Sequence, residues 1–230
     1  MQTSKHFDLI GGLGVGATTI YYQAITDACA KLSIAPRCTI AHAHAPNALA
    51  LVTASRIDDV AAYLAGFANE LAAAGAEFFA IPAITPHICL AQLMARASLP
   101  IIDILQVTAN ELHKRSLKRV ALFGTRFSID QALFGALGAF DVMRPKDAEV
   151  NEIHRIYLEL AQAGRTAPEN VTKLREIADT LIRRDQVEAI VLAGTDLNLI
   201  FDENTAGFPA VDCAAAHIKV IVERMVEGVG

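Results

Sequence analysis

No tryptophan occurs among the 230 residues, and aromatic side chains make up only 6% of them. That scarcity argues against the stacking platforms that hold single-stranded nucleic acids and sugars. Positive charge is also short: 20 lysines and arginines stand against 25 aspartates and glutamates, a formal net charge of -5. With no basic stripe, nucleic acid is not expected as the main partner. The four cysteines, Cys29, Cys38, Cys89 and Cys213, are scattered and form no C-x-x-C pair. This excludes a thioredoxin-like motif and a zinc knuckle and fits a reducing cytoplasm without disulfides. No apolar run approaches the roughly 18 residues of a membrane span, so no membrane partner is expected. Met1 to Lys5 is short and polar and leads straight into a strand, so no signal peptide is expected and the location reads as cytoplasmic.

What is abundant is apolar surface. With 53% hydrophobic residues and no long polar tract, the chain is folded, and long enough for one large domain or two small lobes. Residues 7–10 read as a short strand, followed by the glycine-rich turn Gly11-Gly12-Leu13-Gly14-Val15-Gly16 and a helix over 17–32 with apolar positions at Ile20, Ala24, Ala28 and Leu32. A second strand, 38–41, leads into His42 and His44, and a helix over 56–74 stops at Gly75. A buried strand at 78–81, a helix over 87–97 and a short strand at 101–104 follow. Strands alternating with helices imply βαβ units and a mostly parallel sheet.

The same order then repeats. Val120-Ala121-Leu122-Phe123-Gly124-Thr125 matches Phe7-Asp8-Leu9-Ile10-Gly11-Gly12, 113 positions earlier. Glu188 to Gly194 matches Glu77 to Ala83 at an offset of 111, and Pro209-Ala210-Val211-Asp212 matches Pro100-Ile101-Ile102-Asp103 at 109. Three strand ends in one order at a near-constant offset indicate an internal duplication. The expected architecture is α/β, with two pseudo-symmetric lobes, each a mostly parallel sheet flanked by helices. The first lobe takes residues 1–108 and 211–230, the second 109–210, and the site is expected in the cleft between them. Segment 164–170 reads as a break between two helices, and 202–208 as a mobile cover on the cleft.

In open α/β sheets, ligands bind beyond the carboxyl ends of strands. Two such ends stand out here: Pro82-Ala83-Ile84-Thr85-Pro86-His87, and its echo Ala193-Gly194-Thr195-Asp196. Both offer a hydroxyl, and each carries a small residue where a reactive group would sit.

Leu9-Ile10-Gly11-Gly12-Leu13-Gly14, followed by Ala17-Thr18 and Tyr21-Tyr22, resembles the opening of the cofactor-independent aspartate/glutamate racemase superfamily. Glu149 to Tyr157 is similar to that family's helix early in the second half, and Phe123-Gly124-Thr125-Arg126 and Asp212 with His217 also match. The resemblance covers essentially the whole chain. It implies chemistry at the α-carbon of a small carboxylate or amino acid without pyridoxal phosphate or any other cofactor, and it implies a homodimer. In the family, one thiolate removes the α-proton and a second thiol returns one from the far side. The first cysteine lies in a Pro-Cys-Asn-Thr-x-His pattern and the second in Gly-Cys-Thr-Glu. Ala83 and Gly194 stand at those two positions, while Thr85, His87 and Thr195 match their motifs. Ile84, Pro86, Ala193 and Asp196 depart as well, so the divergence is coordinated rather than a single lost residue. The expected function is that of a racemase-like enzyme working without a cysteine pair. The alternatives are a decarboxylase or other lyase of the same superfamily, Ala83 and Gly194 leaving room for a bulkier α-substituent, and a non-catalytic carboxylate-binding protein.

His87 and Asp196 are the candidate catalytic pair, because histidine titrates near neutrality and a buried aspartate can hold a proton there. The plainer alternatives are that Asp196 caps a helix and His87 orients its neighbours. The candidate substrate-binding residues are Gly12, Thr18, His42, His44, Arg56, Thr85 and Thr195. Gly12 and Thr18 belong to a glycine turn whose N–H groups at a helix start suit a carboxylate, or which simply turns the chain. It lacks the Lys-Ser/Thr of a P-loop, so a nucleotide is not expected. Thr85 and Thr195 suit carboxylate or enolate oxygens, or helix caps. His42 and His44 lie two apart on one face, suited to proton transfer or substrate binding; with no third ligand at a strong spacing, no metal is expected. Arg56 offers a cation for a second carboxylate or is an exposed helix-start arginine. His154 and His217 match family positions, where structural support is as good a reading as catalysis, and Cys213 reads as a small core residue.

Overall fold

Ten residues, Gln2–Gly11, form strand β1 in the computed structural model, which describes residues 2–228. Phe7, Asp8 and Leu9 have no exposure, as fits a parallel strand covered on both faces. Strands β2 (Ile34–His42) and β3 (Phe78–Ala80) pair with β1 in parallel, in the order β2-β1-β3. Parallel neighbours need crossovers. Helix α1 (Val15–Lys31) links β1 to β2, and α2 (Ala45–Thr53) with α3 (Ile57–Ala73) links β2 to β3. Each helix buries one stripe: α1 buries Ala17, Tyr21, Ile25 and Cys29, spaced four apart, rather than the apolar positions Ile20, Ala24, Ala28 and Leu32 expected from the sequence, and α3 buries Val60, Leu64, Ala68 and Leu71. Beyond β3 come a 3-10 turn, Thr85–Cys89, and the short helix α4 (Leu90–Met94).

Helix α5 (Ile104–Lys114) opens a second sheet. It contains β4 (Arg119–Gly124), β5 (Asp141–Val142), β6 (Ala189–Ala193) and β7 (Ala210–Asp212), all parallel, in the order β5-β4-β6-β7. Helix α6 (Arg126–Asp130) follows β4, α7 (Asp147–Ala163) and α8 (Pro168–Asp185) lie between β5 and β6, and α9 (Cys213–Val226) ends the chain's regular structure. Packing divides the chain into two units, one running through Asp103 with the residues from His217 onward, the other Ile104–Ala216. Each sheet has the first strand of its unit in the middle, which is the duplicated plan read from the sequence.

Helix boundaries follow local chemistry. Gly164 adopts the left-handed conformation that ends α7, and Pro168 lies in the first turn of α8, where its missing N–H costs nothing. At the start of α7 the Glu149 carboxylate accepts the Lys146 backbone N–H at 2.8 Å.

Three expectations are corrected. The helix anticipated over 87–97 is a 3-10 turn plus the five-residue α4. Pro86 supplies no N–H, and His87 N–H reaches back three residues to Ile84 at 2.9 Å. The strand anticipated at 101–104 is a single bridge, Phe79 to Ile101, because the chain turns into α5 at Ile104. Segment 202–208 is tied down rather than loose. Asp202 accepts the N–H groups of Asn204 and Thr205 and the Thr205 hydroxyl, Arg175 donates to Ala206 O at 2.8 Å, and Phe208 packs on Phe201 and Phe123. Helix α2 went unread in an apolar run. Among the described residues no helix is long and apolar enough to cross a membrane.

Candidate active site

In the first unit, β3 runs out into Ile81-Pro82-Ala83, and Ala83 N–H donates back to Ile81 O at 2.8 Å, turning the chain sharply. His87 is 2% exposed, and its Nδ1 lies 2.9 Å from the Ala83 carbonyl oxygen. A carbonyl only accepts, so Nδ1 carries the proton and Nε2 bears a lone pair. That buried Nε2 has no hydrogen-bond partner within the described chain. Burial lowers the imidazole's proton affinity, with the Asp103 carboxylate opposing, so the ring is neutral at neutral pH. A neutral imidazole with an unshared lone pair is a base. Thr85 sits half-buried two residues before it, in the same turn.

His217, on α9, is used differently. Its Nε2 faces Ile102 O at 2.9 Å and must be the N–H donor, so Nδ1 accepts the Tyr21 hydroxyl at 3.0 Å. Burial pushes its pKa down to about 3. Both ring nitrogens are satisfied, which marks His217 as a strut between α1 and the 101–103 segment.

The glycine turn is tighter than an open anion cradle. Gly12 N–H donates to Thr18 Oγ1 at 3.1 Å, and the Thr18 hydroxyl donates to Gly14 O at 2.8 Å. The two residues expected to hold a carboxylate thus bind each other. Gly12 has a φ of +83°, and a Cβ there would lie 2.3 Å from Ala43 O, so only glycine fits. His42 and His44 are both exposed, on either side of buried Ala43. The His42 ring lies against Gly12, and the His44 backbone N–H donates to the Tyr63 hydroxyl at 2.8 Å. Arg56 is exposed at the start of α3 and pairs with Asp59 at 2.7 Å.

In the second unit, β6 ends at Ala193, and Gly194 is extended, leading into the 3-10 turn Thr195–Leu199. A Cβ at Gly194 would lie 2.3 Å from Cε2 of Tyr157. The tyrosine ring therefore occupies the space that a side chain at 194 would need, and the room expected there for a bulkier substituent is filled. Tyr157, on α7, donates its hydroxyl to Asp196 Oδ2 at 3.3 Å and also bonds the Thr195 side chain. Burial and the Asp196 carboxylate hold the phenol well above its ordinary pKa, so it is protonated at neutral pH. Thr195 and Asp196 are buried.

Other polar groups here are structural. Asp212 accepts the N–H groups of Ala214 and Ala215 at the start of α9 and is bonded by the Asn198 amide. His154 Nδ1 accepts the Arg126 N–H at 3.2 Å, and burial with the Arg126 charge lowers its pKa. All four cysteine thiols are pushed up by burial, Cys38 and Cys213 to about 12 and Cys89 to about 11, so none supplies a thiolate at neutral pH. No group of three or more His, Cys, Asp or Glu side chains among the described residues could hold a metal ion. Sequence reasoning placed Tyr157 on a helix but gave it no role. Its phase in the α7 stripe, with Ile153, Ile156 and Leu160, is that of any core residue, and its partner Asp196 lies 39 positions away.

The fold and these two strand ends define an α/β enzyme family of duplicated design. The chain belongs to the Asp/Glu/hydantoin racemase family, whose description it matches over residues 10–221. It is 24% identical over 225 residues to the broad specificity amino-acid racemase RacX of Bacillus subtilis (strain 168), covering 93% of this chain and 95% of that one. Among solved structures, a provisionally named Asp/Glu racemase from Yersinia pestis is 21% identical, with a TM-score of 0.82 over 98% of this chain and 100% of its own. An aspartate racemase homologue from Pyrococcus horikoshii OT3 is 24% identical, with a TM-score of 0.77 over 95% of this chain and 98% of its own. At these identities the structural likeness carries the fold.

Proposed function

We propose that this protein is a racemase-like enzyme that moves a proton at the α-carbon of a small amino acid or related carboxylate without a cysteine pair. The observation that carries the reading is the lone pair of His87 Nε2, buried and without a hydrogen-bond partner among the described residues. An unpaired buried acceptor costs about 1–3 kcal/mol, which is kept where the group has a task. His87 Nε2 takes the α-proton: the C–H bond breaks, an N–H bond forms, and the electron pair delocalises into the substrate carboxylate. The Ala83 carbonyl then steadies the imidazolium through Nδ1–H. The Thr85 hydroxyl is a donor for the carboxylate oxygens in the same turn. Asp196 is the second candidate for handling a proton. Family membership and the likeness to an amino-acid racemase support this reading.

The test is α-proton exchange in deuterated water with a panel of D- and L-amino acids and dicarboxylates, followed by NMR and chiral analysis. The expected result is deuterium incorporation with inversion for at least one compound. Release of carbon dioxide would assign the lyase reaction instead. Thermal shifts without exchange or product would assign a binding protein, because a ligand of the native state stabilises it by mass action.

A further inference from the structure

The second strand end combines a space without a side chain, a phenol filling it and a buried carboxylate bonded to that phenol. At Gly194 the chain is extended, with φ −150°, so the backbone itself accepts any residue. What requires glycine is the Tyr157 ring, 2.3 Å from where a Cβ would be. Glycine at 194 and tyrosine at 157 are therefore one feature. Tyr157 is 8% exposed and Asp196 2%, and the phenol hydroxyl points to Asp196 Oδ2 at 3.3 Å, so the ring that fills the space beside Gly194 carries an O–H bonded to the carboxylate. Thr195, also bonded to Tyr157, fixes the hydroxyl from a second side.

We propose that Tyr157 is a catalytic residue, its hydroxyl relaying protons between Asp196 and the substrate α-carbon in the place a side chain at 194 would have held. The inference rests on the reading of the protein as an enzyme acting at an α-carbon. In the deprotonating direction the α C–H bond breaks and its proton bonds to the phenolic oxygen. The phenol's own proton passes to the Asp196 carboxylate, and the electron pair stays on the α-carbon and its carboxylate. In the return direction Asp196 gives its proton to the phenolic oxygen while the phenol protonates carbon. No phenoxide is left at the end of either step, which suits a hydroxyl placed beside a carboxylate. Tyrosine also fills the space that a thiol would need, so the two proton carriers are mutually exclusive at this position.

The experiment compares the wild-type protein with Tyr157→Phe, Asp196→Asn and the double variant in the amino-acid exchange assay, with melting curves in parallel. Phenylalanine keeps the ring over Gly194 and removes only the hydroxyl. The expected result is a loss of at least about 100-fold in the exchange rate constant for each single variant, with KM within about threefold of wild type. The double variant falls no further than the worse single, since the two groups act as one relay. Replacement of Tyr157 by 3-fluorotyrosine, which keeps the shape and makes the phenol a stronger acid, changes the exchange rate constant. Exchange by Tyr157→Phe within about threefold of wild type, or an unchanged fluorotyrosine rate constant, overturns the relay while leaving the enzyme reading intact. Absence of exchange in the wild-type protein itself overturns the enzyme reading and the relay with it.

Discussion

The ends of β3 and β6 are built on one plan and finished in opposite ways. After β3 the small residue is Ala83, and the nearby polar atom, His87 Nε2, is an acceptor without a partner among the described residues. After β6 the small residue is Gly194, its space is filled by Tyr157, and the phenol is bonded to both the Thr195 and the Asp196 side chains. Within each pair the logic is local: a carbonyl four residues back sets the tautomer of His87, and a carboxylate two residues beyond Gly194 orients the phenol. A duplicated backbone has thus been given a lone pair at one end and an O–H at the other.

The largest effect that can break this comparison is at His87. His87→Gln keeps an N–H able to reach the Ala83 carbonyl and removes the basic nitrogen. Exchange of the substrate α-proton is expected to fall by about 10²–10⁴-fold while the melting temperature moves little. In the unmodified protein, burial lowers the His87 pKa, so the acid limb of the exchange rate should lie below the ordinary histidine value of 6.5. An acid limb at or above 6.5, or exchange retained by His87→Gln, would remove the base from the first strand end.

His217 sharpens the contrast, because it is equally buried but has both nitrogens bonded. Its folded pKa of about 3 lies below the ordinary 6.5. Between those values the unfolded chain binds a proton that the folded chain refuses, so stability is complete above 6.5 and falls as the pH drops toward 3. One proton corresponds to a slope of about 1.4 kcal/mol per pH unit. Urea unfolding at pH 7, 5 and 4 should show a steeper loss for the wild-type protein than for His217→Gln. Parallel curves would mean that the imidazole is not held neutral by its place between Tyr21 and Ile102.

Gly194 gives the next effect. Gly194→Ala forces the Tyr157 ring to move and should cost about 1–3 kcal/mol, the range for overpacking a filled site. In a Tyr157→Ala background the same change should cost nothing, since the obstacle is gone. Ala83→Gly inserts no new atom and should cost about 0.5–1 kcal/mol of backbone entropy. Equal penalties for Gly194→Ala in both backgrounds would show that the ring is not what requires glycine.

Much of this was legible in the residues themselves. The Gly164 and Pro168 punctuation and the strand ends act over a few positions, where local geometry follows from sequence, whereas the apolar positions read for α1, Ile20, Ala24, Ala28 and Leu32, lie off the buried stripe of Ala17, Tyr21, Ile25 and Cys29. Ala45–Thr53 was missed because an almost wholly apolar stretch carries no periodicity to distinguish helix from strand, and residues 101–104 were over-read for the same reason. The site was legible as motifs but not as bonds. That Thr18 uses the Gly12 N–H, or that Tyr157 stands over Gly194, depends on how elements pack, and no spacing encodes it. His87 was picked out for its type, whereas its value comes from the Ala83 carbonyl, which every residue possesses.

The smallest expected effect concerns Arg56, which the sequence offered as a cation for a second substrate carboxylate. Its side chain is 60% exposed and its partner Asp59 51%, and the two are joined within the first turn of α3. An exposed pair of this kind contributes about 0.2–1 kcal/mol at most, and salt screens it. If recognition resides in the two strand ends, Arg56→Ala should leave exchange of monocarboxylic and dicarboxylic amino acids alike within about twofold, with stability within the range quoted for such pairs. If Arg56 holds a side-chain carboxylate, the loss is selective. KM for aspartate or glutamate then rises at least tenfold, because a charge-assisted bond contributes about 1.5–3 kcal/mol, while alanine is unaffected. The ratio of the two substrate classes in one variant therefore separates a bystander at the start of α3 from a third element of the site, and the paired Asp59 favours the bystander.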